Sequence, residues 1–192
     1  GFKISPSTSN AGIDQSVCGI SANLSANSPS SGTGSWSIIG GGMGGNINNP
    51  SNPTSNFTGT NGSTYTLRWT ISNAPCIESF DEVSITLNPI PTVNVSAQNQ
   101  SCPGVNDGAA TANPSPLGAY QYLWSCTTAT TPTVSGLAPG TCNVTVTNMS
   151  TSCVSAQATF TIVAAIPLCP AMYHTCAVPR NVSSQFGTGF IG

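Results

Sequence analysis

Apolar and polar residues alternate strictly in several stretches of this chain. In TYTLRWTI, Tyr65, Leu67, Trp69 and Ile71 fall on one face and Thr66, Arg68 and Thr70 on the other. VSITL repeats the pattern with Val83, Ile85 and Leu87. CNVTVT sets Cys142, Val144 and Val146 against Asn143, Thr145 and Thr147, and ATFTI sets Ala158, Phe160 and Ile162 against Thr159 and Thr161. A period of two predicts half-buried antiparallel strands. No stretch carries the pattern of an amphipathic helix of useful length. Short strands separated by Gly, Pro and Asn turns predict an all-β chain folded as β-sandwiches.

The alternation breaks at NPIPT, residues 88–92, where two prolines two apart keep the backbone extended and stop a strand from running through. Each half then repeats one plan. A cysteine lies near its start, in DQSVCG and in NQSCPG, and another precedes its last alternating strand, in APCIESFDEVSITL and in STSCVSAQATFTI. The expected organisation is an N-terminal extension (1–9), two tandem Ig-like β-sandwiches (10–89 and 90–164) of ordinary domain size, and a C-terminal tail (165–192).

Eight cysteines is an even number, and no two form a CxxC pair. In a small Ser-, Thr- and Gly-rich chain this predicts disulfides and an oxidising compartment. The repeated plan suggests Cys18–Cys76 in the first half and Cys102–Cys153 in the second. Cys126 shares a strand face with Tyr122 and Trp124, and Cys142 shares one with Val144 and Val146, which suggests a buried Cys126–Cys142 bond. Cys169 and Cys176 remain, to close a loop in the tail. Eight cysteines allow 105 connectivities, so these pairings rest on the repeat. The staple differs from that of antibody domains, whose cysteines join strands B and F across the core. TYTLRWTI has no cysteine, although Tyr65 stands near a tyrosine-corner position.

AGIDQSVCG, SGTGSWSIIGGG, NPTSNFTGTNGSTYTLRWTISNAPC and DEVSITL resemble the Ig-like/PKD-like repeats of large Bacteroidetes surface proteins. SCPGVNDGAATA, YQYLWS, SGLAPGTCNVTVTN and SCVSAQATFTI resemble the SprB repeat of gliding-motility adhesins and other type IX-secreted proteins. The likeness covers about residues 10–163. The second set departs from its family at Cys142, where a Tyr is usual, and at TNMSTSC, where an Asp-containing turn is usual. The first departure favours the extra Cys126–Cys142 bond, and the second removes an oxygen ligand from any calcium site. The resemblance implies a surface-exposed repeat of an adhesin or filament and no catalytic residue.

Charge narrows the function further. Only 4% of residues are charged, with three Lys or Arg and a net charge of −2. Neutralising phosphates takes several Lys or Arg, so nucleic-acid binding is excluded. No apolar run is long enough to span a membrane and no signal peptide stands at the start, so the expectation is a mature secreted or cell-surface protein, or an excised part of one. A neutral surface rich in Ser, Thr and Asn invites self-association.

Candidates for chemistry are few. The carboxylates are Asp14, Glu78, Asp81, Glu82 and Asp107. Glu78, Asp81 and Glu82 fall close together in what reads as a loop. They offer oxygen ligands for calcium, but charges that block sheet-to-sheet pairing are the preferred reading. Asp107, before Gly108, reads as a turn residue. His174 is the only histidine. It sits in LCPAMYHTC without a neighbouring acid or a standard zinc spacing, so a disulfide-closed loop is expected there. IIGGGMGGNINN lacks the lysine of a phosphate-binding loop. The single lysine, Lys3, limits Lys–Asn cross-links to one. Eight N-x-S/T sequons, at Asn23, Asn56, Asn61, Asn94, Asn99, Asn143, Asn148 and Asn181, are little above chance for this composition.

The reading is a non-enzymatic extracellular structural or adhesive protein. It is a module of a bacterial cell-surface adhesin, or a subunit of a filament assembled head to tail, with strand addition by an uncharged terminus as one route. No cofactor or metal is expected. The expected partner is a second copy or a neighbouring repeat, contacted through Met172, Tyr173, Phe186 and Phe190. The alternative is a carbohydrate-binding accessory module of a secreted enzyme. That reading needs exposed aromatics, Trp36 with Tyr173 or Phe186, whereas Trp69 and Trp124 lie on apolar strand faces and are expected in cores.

Overall fold

A computed structural model of the protein describes residues 4–166. Every regular element among them is a strand. The expected contacts Met172, Tyr173, Phe186 and Phe190, together with Lys3, Cys169, His174 and Cys176, lie outside the described residues.

In the first half, β1 (Gln15–Cys18), β3 (Thr33–Gly41), β6 (Ser63–Ser72) and β7 (Ser79–Asn88) form a sheet in the order β1-β7-β6-β3. Strands β2 (Ser21–Asn23), β4 (Asn46–Ile47) and β5 (Asn56–Thr58) form a second sheet in the order β2-β5-β4. This is the immunoglobulin arrangement, with a C-F-G sheet (β3, β6, β7) facing a B-E-D sheet (β2, β5, β4). The first strand is laid parallel along the outer edge of β7. The alternating residues Tyr65, Leu67, Trp69, Ile71, Val83, Ile85 and Leu87 are all buried, with Phe57 from the opposite sheet among them.

The core replaces the usual B–F disulfide with apolar packing. Tyr65 donates its hydroxyl hydrogen to the Met43 carbonyl at 2.8 Å and accepts from the Thr60 N–H at 2.8 Å. It thereby pins two loops at the start of β6, as a tyrosine corner does. Leu67, two residues on, occupies the place of an antibody domain's second cysteine. Trp36 on β3 stacks against Trp69 with ring centroids 5.2 Å apart and donates its indole N–H to the Pro53 carbonyl. Gly34 lies directly under the Trp69 ring, where any Cβ would collide with it.

In the second half, β8 (Thr92–Gln98), β9 (Gly108–Ser115) and β11 (Thr133–Leu137) form a sheet in the order β11-β9-β8. Strands β10 (Tyr120–Trp124), β12 (Gly140–Asn148) and β13 (Ala158–Ile162) form its partner in the order β10-β12-β13. All pairings here are antiparallel. Trp124, Val134, Leu137, Cys142, Val144, Phe160 and Ile162 make a second core, separate from the first. Trp124 meets Phe160 edge-on at 5.7 Å and donates to the Thr131 carbonyl.

The cysteines depart from the repeat-based pairing. Cys18 is bonded to Cys153, across the two halves, and not to Cys76. The reason is direction. Running parallel to β7, β1 ends with Cys18 opposite Asn88, whereas Cys76 precedes the other end of β7. Ten residues of strand, about 33 Å, separate those ends. Cys76 is a free thiol. Cys102 is disulfide-bonded, but not to Cys153. It follows the far end of β8, about 23 Å of strand from the end where Cys153 lies. Cys126 and Cys142 are bonded to each other. Cys142 is buried, but Cys126 is exposed, because β10 stops at Trp124 and its alternation ends there.

Candidate functional site at the joint

The features that set this chain apart converge between the sandwiches. Only Pro89, Ile90 and Pro91 separate β7 from β8, and Pro91 is fully buried. On the first side, Asn88 is tied to the end of β1. Its side chain donates to the Ser16 hydroxyl at 2.8 Å and to the Val17 carbonyl, and its carbonyl accepts from the Gly19 N–H at 2.7 Å. Cys18 stands beside it.

On the second side, a turn after β12 presents Cys153. The Asn148 side-chain oxygen accepts from the N–H groups of Ser150 and Thr151, while its backbone accepts from Ser152 and donates to Cys153. Ser152 takes a left-handed conformation, φ 59°, an uncommon state for a residue with a side chain. The Ser155 hydroxyl then caps the Val146 N–H. Cys153 is fully buried at the end of this turn. The stretch TNMSTSC is therefore the seat of the inter-sandwich bond.

The N-terminal segment is part of the same assembly. Ser9 N–H donates to the Ser79 hydroxyl and its own hydroxyl to the Ser79 carbonyl. Ala11 N–H donates to the Asp81 carboxylate at 2.7 Å, and Ser84 N–H donates to Asp14 at 2.9 Å. Each of these pairs is separated by 70 residues. The register Gln15↔Ile85 through Cys18↔Asn88 keeps that offset. Residues 9–18 thus run beside 79–88 as one parallel ribbon, and Ser9, the last residue of the expected extension, serves as its start. Alternation analysis misses this, because the contacts are made by side chains and parallel pairing at long range leaves no periodic trace.

The carboxylates are spread over structural tasks. Asp81 and Glu82 lie within β7 and not in a loop. Asp81 holds the N-terminal ribbon, while Glu82 on the opposite face pairs with Arg68 at 2.7 Å, and Arg68 in turn covers the Phe80 ring. Glu78 accepts from the Ser72 hydroxyl. No group of three His, Cys, Asp or Glu is gathered among the described residues. Asp107 accepts from both the hydroxyl and the N–H of Ser101, and the hydroxyl bond first, then the backbone bond, holds its pKa below the ordinary carboxylate value. Its loop is further pinned by Gln100, whose side chain donates to the Val105 carbonyl and accepts from the Ala165 N–H.

All three tryptophans are buried. Trp36, the residue that a sugar platform needed, belongs to the first core. A groove of about 490 Å³ lies on the outer face of β10 and β12, lined by Tyr122, Leu123, Thr145, Thr147 and Val154 among others, without a charged group.

Neither a family model nor a curated protein matches the chain. Solved structures that it resembles are tandem repeats. One is the three-Ig segment of titin domains I67–I69 in an E-to-A mutated variant, with 11% identity, 85% of this chain and 66% of that one covered, and TM-score 0.46. Extracellular cadherin domains 3–6 of protocadherin gamma B2 give 9% identity, 83% and 47% coverage, and TM-score 0.33. EC22–24 of mouse cadherin-23 gives 10%, 81% and 62%, and TM-score 0.33. The chain spans less than two thirds of the length of each. The Ig-like assignment stands on the strand order and register above.

Proposed function

We propose that this chain is a non-enzymatic extracellular structural or adhesive module. It is a pair of Ig-like repeats from a bacterial cell-surface adhesin, or a subunit of an extracellular filament, of the kind that its resemblance to Bacteroidetes surface repeats and SprB repeats implies. The observation that carries this reading is the Cys18–Cys153 bond across the joint. A disulfide that fixes one repeat against the next serves a protein whose task is to hold a geometry, and it needs an oxidising compartment.

Self-association has its own support. The edge strands β1, β3, β2, β4, β10, β13, β11 and β8 carry no Asp, Glu, Lys or Arg. Charges on edges are a common guard against strand addition, and here Arg68, Asp81 and Glu82 sit on the central strands β6 and β7. Residues 9–18 already occupy the flank of β7 and the 50–53 segment bonds the outer edge of β3 at Trp36, so the donor for strand addition is a C-terminal segment and its acceptor the edge of β10.

Electron microscopy of the native material, with sedimentation velocity of the full chain, tests the filament version. Filaments or concentration-dependent growth are expected; isolated particles and a monomer at all concentrations refute it. Antibody labelling of intact producing cells tests the surface location, and labelling confined to lysed cells refutes that.

A further inference from the structure

We infer that the Cys18–Cys153 bond makes the two repeats a nearly inextensible link, by removing almost the whole fold from the path of a pulling force. The inference about the joint is mechanical; its biological use rests on the structural reading above. The bond spans 135 residues of sequence, and every strand from β2 to β12 lies inside the closed loop. Tension entering at the N-terminal end and leaving through β13 crosses from Cys18 to Cys153 without loading the chain between them. Both hydrophobic cores draw most of their residues from inside that loop.

Only two short pieces of the described chain remain in the path, and each is locked. The N-terminal piece is the ribbon of residues 9–18 beside 79–88. Its bonds from Ser9, Ala11 and Asp14 to Ser79, Asp81 and Ser84 follow one line along β7. A pull along that line loads them together, in shear. The C-terminal piece is β13 and its exit. There Val163 N–H donates to the Asn99 side chain, Ala165 N–H donates to Gln100, and Gln100 N–H donates to the Val163 carbonyl. If both pieces tear loose, residues 4–17 and 154–166 extend by about 90 Å at ~3.4 Å per residue. Opening the covalent loop adds about 460 Å on the same scale. That full length needs every disulfide reduced: Cys126–Cys142, with a sequence separation of 16, withholds about 50 Å of it, and the bond made by Cys102 withholds a further part.

Single-molecule pulling of the oxidised full chain, tethered at its two ends, tests this. The expected gain in contour length from rupture of the folded part is at most about 90 Å. A reductant added to the same molecules then permits a further gain several times larger. The paired variant Cys18→Ala/Cys153→Ala already extends well beyond about 90 Å without reductant, and reductant adds the remainder held by the Cys102 and Cys126–Cys142 bonds. A long extension in the oxidised wild-type chain overturns the inference, as does non-reducing peptide mapping that pairs Cys18 with another cysteine. These outcomes are separable from the proposed function. Surface labelling and filament imaging can fail while the short extension stands, and the long extension can appear in a protein that still forms filaments.

Discussion

The inter-sandwich bond also makes a thermodynamic prediction that separates it from the local one. In the chain-entropy model, cross-linking costs the unfolded chain about 2.1 + 1.5R ln n cal/mol/K. With the 135-residue separation of Cys18–Cys153, that is about 17 cal/mol/K, or about 5 kcal/mol at 25 °C. The 16-residue separation of Cys126–Cys142 gives about 3 kcal/mol. Replacing both members of each pair by Ala avoids a stray thiol. For a chain of this size the first replacement is expected to lower the melting temperature by about 10–20 °C and the second by about 6–12 °C. The shapes should differ as well. Without Cys18–Cys153, the chain between the two cores is, among the described residues, the short linker of Pro89, Ile90 and Pro91, and the cores should melt in two transitions. Without Cys126–Cys142, only the second half should soften. Calorimetry with guanidinium titration followed by tryptophan fluorescence reads both. Equal destabilisation by the two replacements, or an unchanged single transition after loss of Cys18–Cys153, would refute the view that this bond couples the repeats.

Three further outcomes follow from local packing and charge. Gly34→Ala drives a methyl into the Trp69 ring and should cost about 1–3 kcal/mol. Gly40→Ala, whose Cβ would sit 3.7 Å from Thr66, should be nearly neutral, so similar denaturation midpoints would contradict the assigned packing. Tyr65→Phe leaves the Thr60 N–H without its partner and the Met43 carbonyl with only the Thr60 hydroxyl, and should cost about 1–3 kcal/mol; a loss under a few tenths would show that those loops are held otherwise. Asp107 has a folded pKa below its unfolded value, because Ser101 hydrogen bonds favour its charged form. Its contribution is therefore complete above the unfolded pKa and disappears as pH falls through the folded one. Amide exchange of loop 99–107 should rise in that acid window in the wild type, and Asp107→Asn should abolish the pH dependence.

Local alternation was enough to place β6, β7, β12 and β13 and to choose their buried faces. Period-two patterning against a core is a property of each strand alone. The same logic failed where neighbours far along the chain decide. Trp36 lies in GTGSWSIIGG, whose glycines blur any alternation, and it is buried by Trp69 and by the 50–53 segment over it. Asp81 read as a loop charge because its partner, the Ala11 N–H, lies 70 residues away.

The sequence by itself determined that the chain is all-β, that it breaks at NPIPT, that it is rich in cysteine and that it is nearly without charge. These follow from composition and from the period of side chains along a strand. Which cysteines meet was decided only in three dimensions. The two halves look like repeats, and repeats suggest bonds within each. But β1 runs parallel to β7 and delivers Cys18 to the linker end, where the Asn148 turn of the other sandwich presents Cys153. Strand direction and the short linker set that meeting, and neither is written in the spacing of the cysteines.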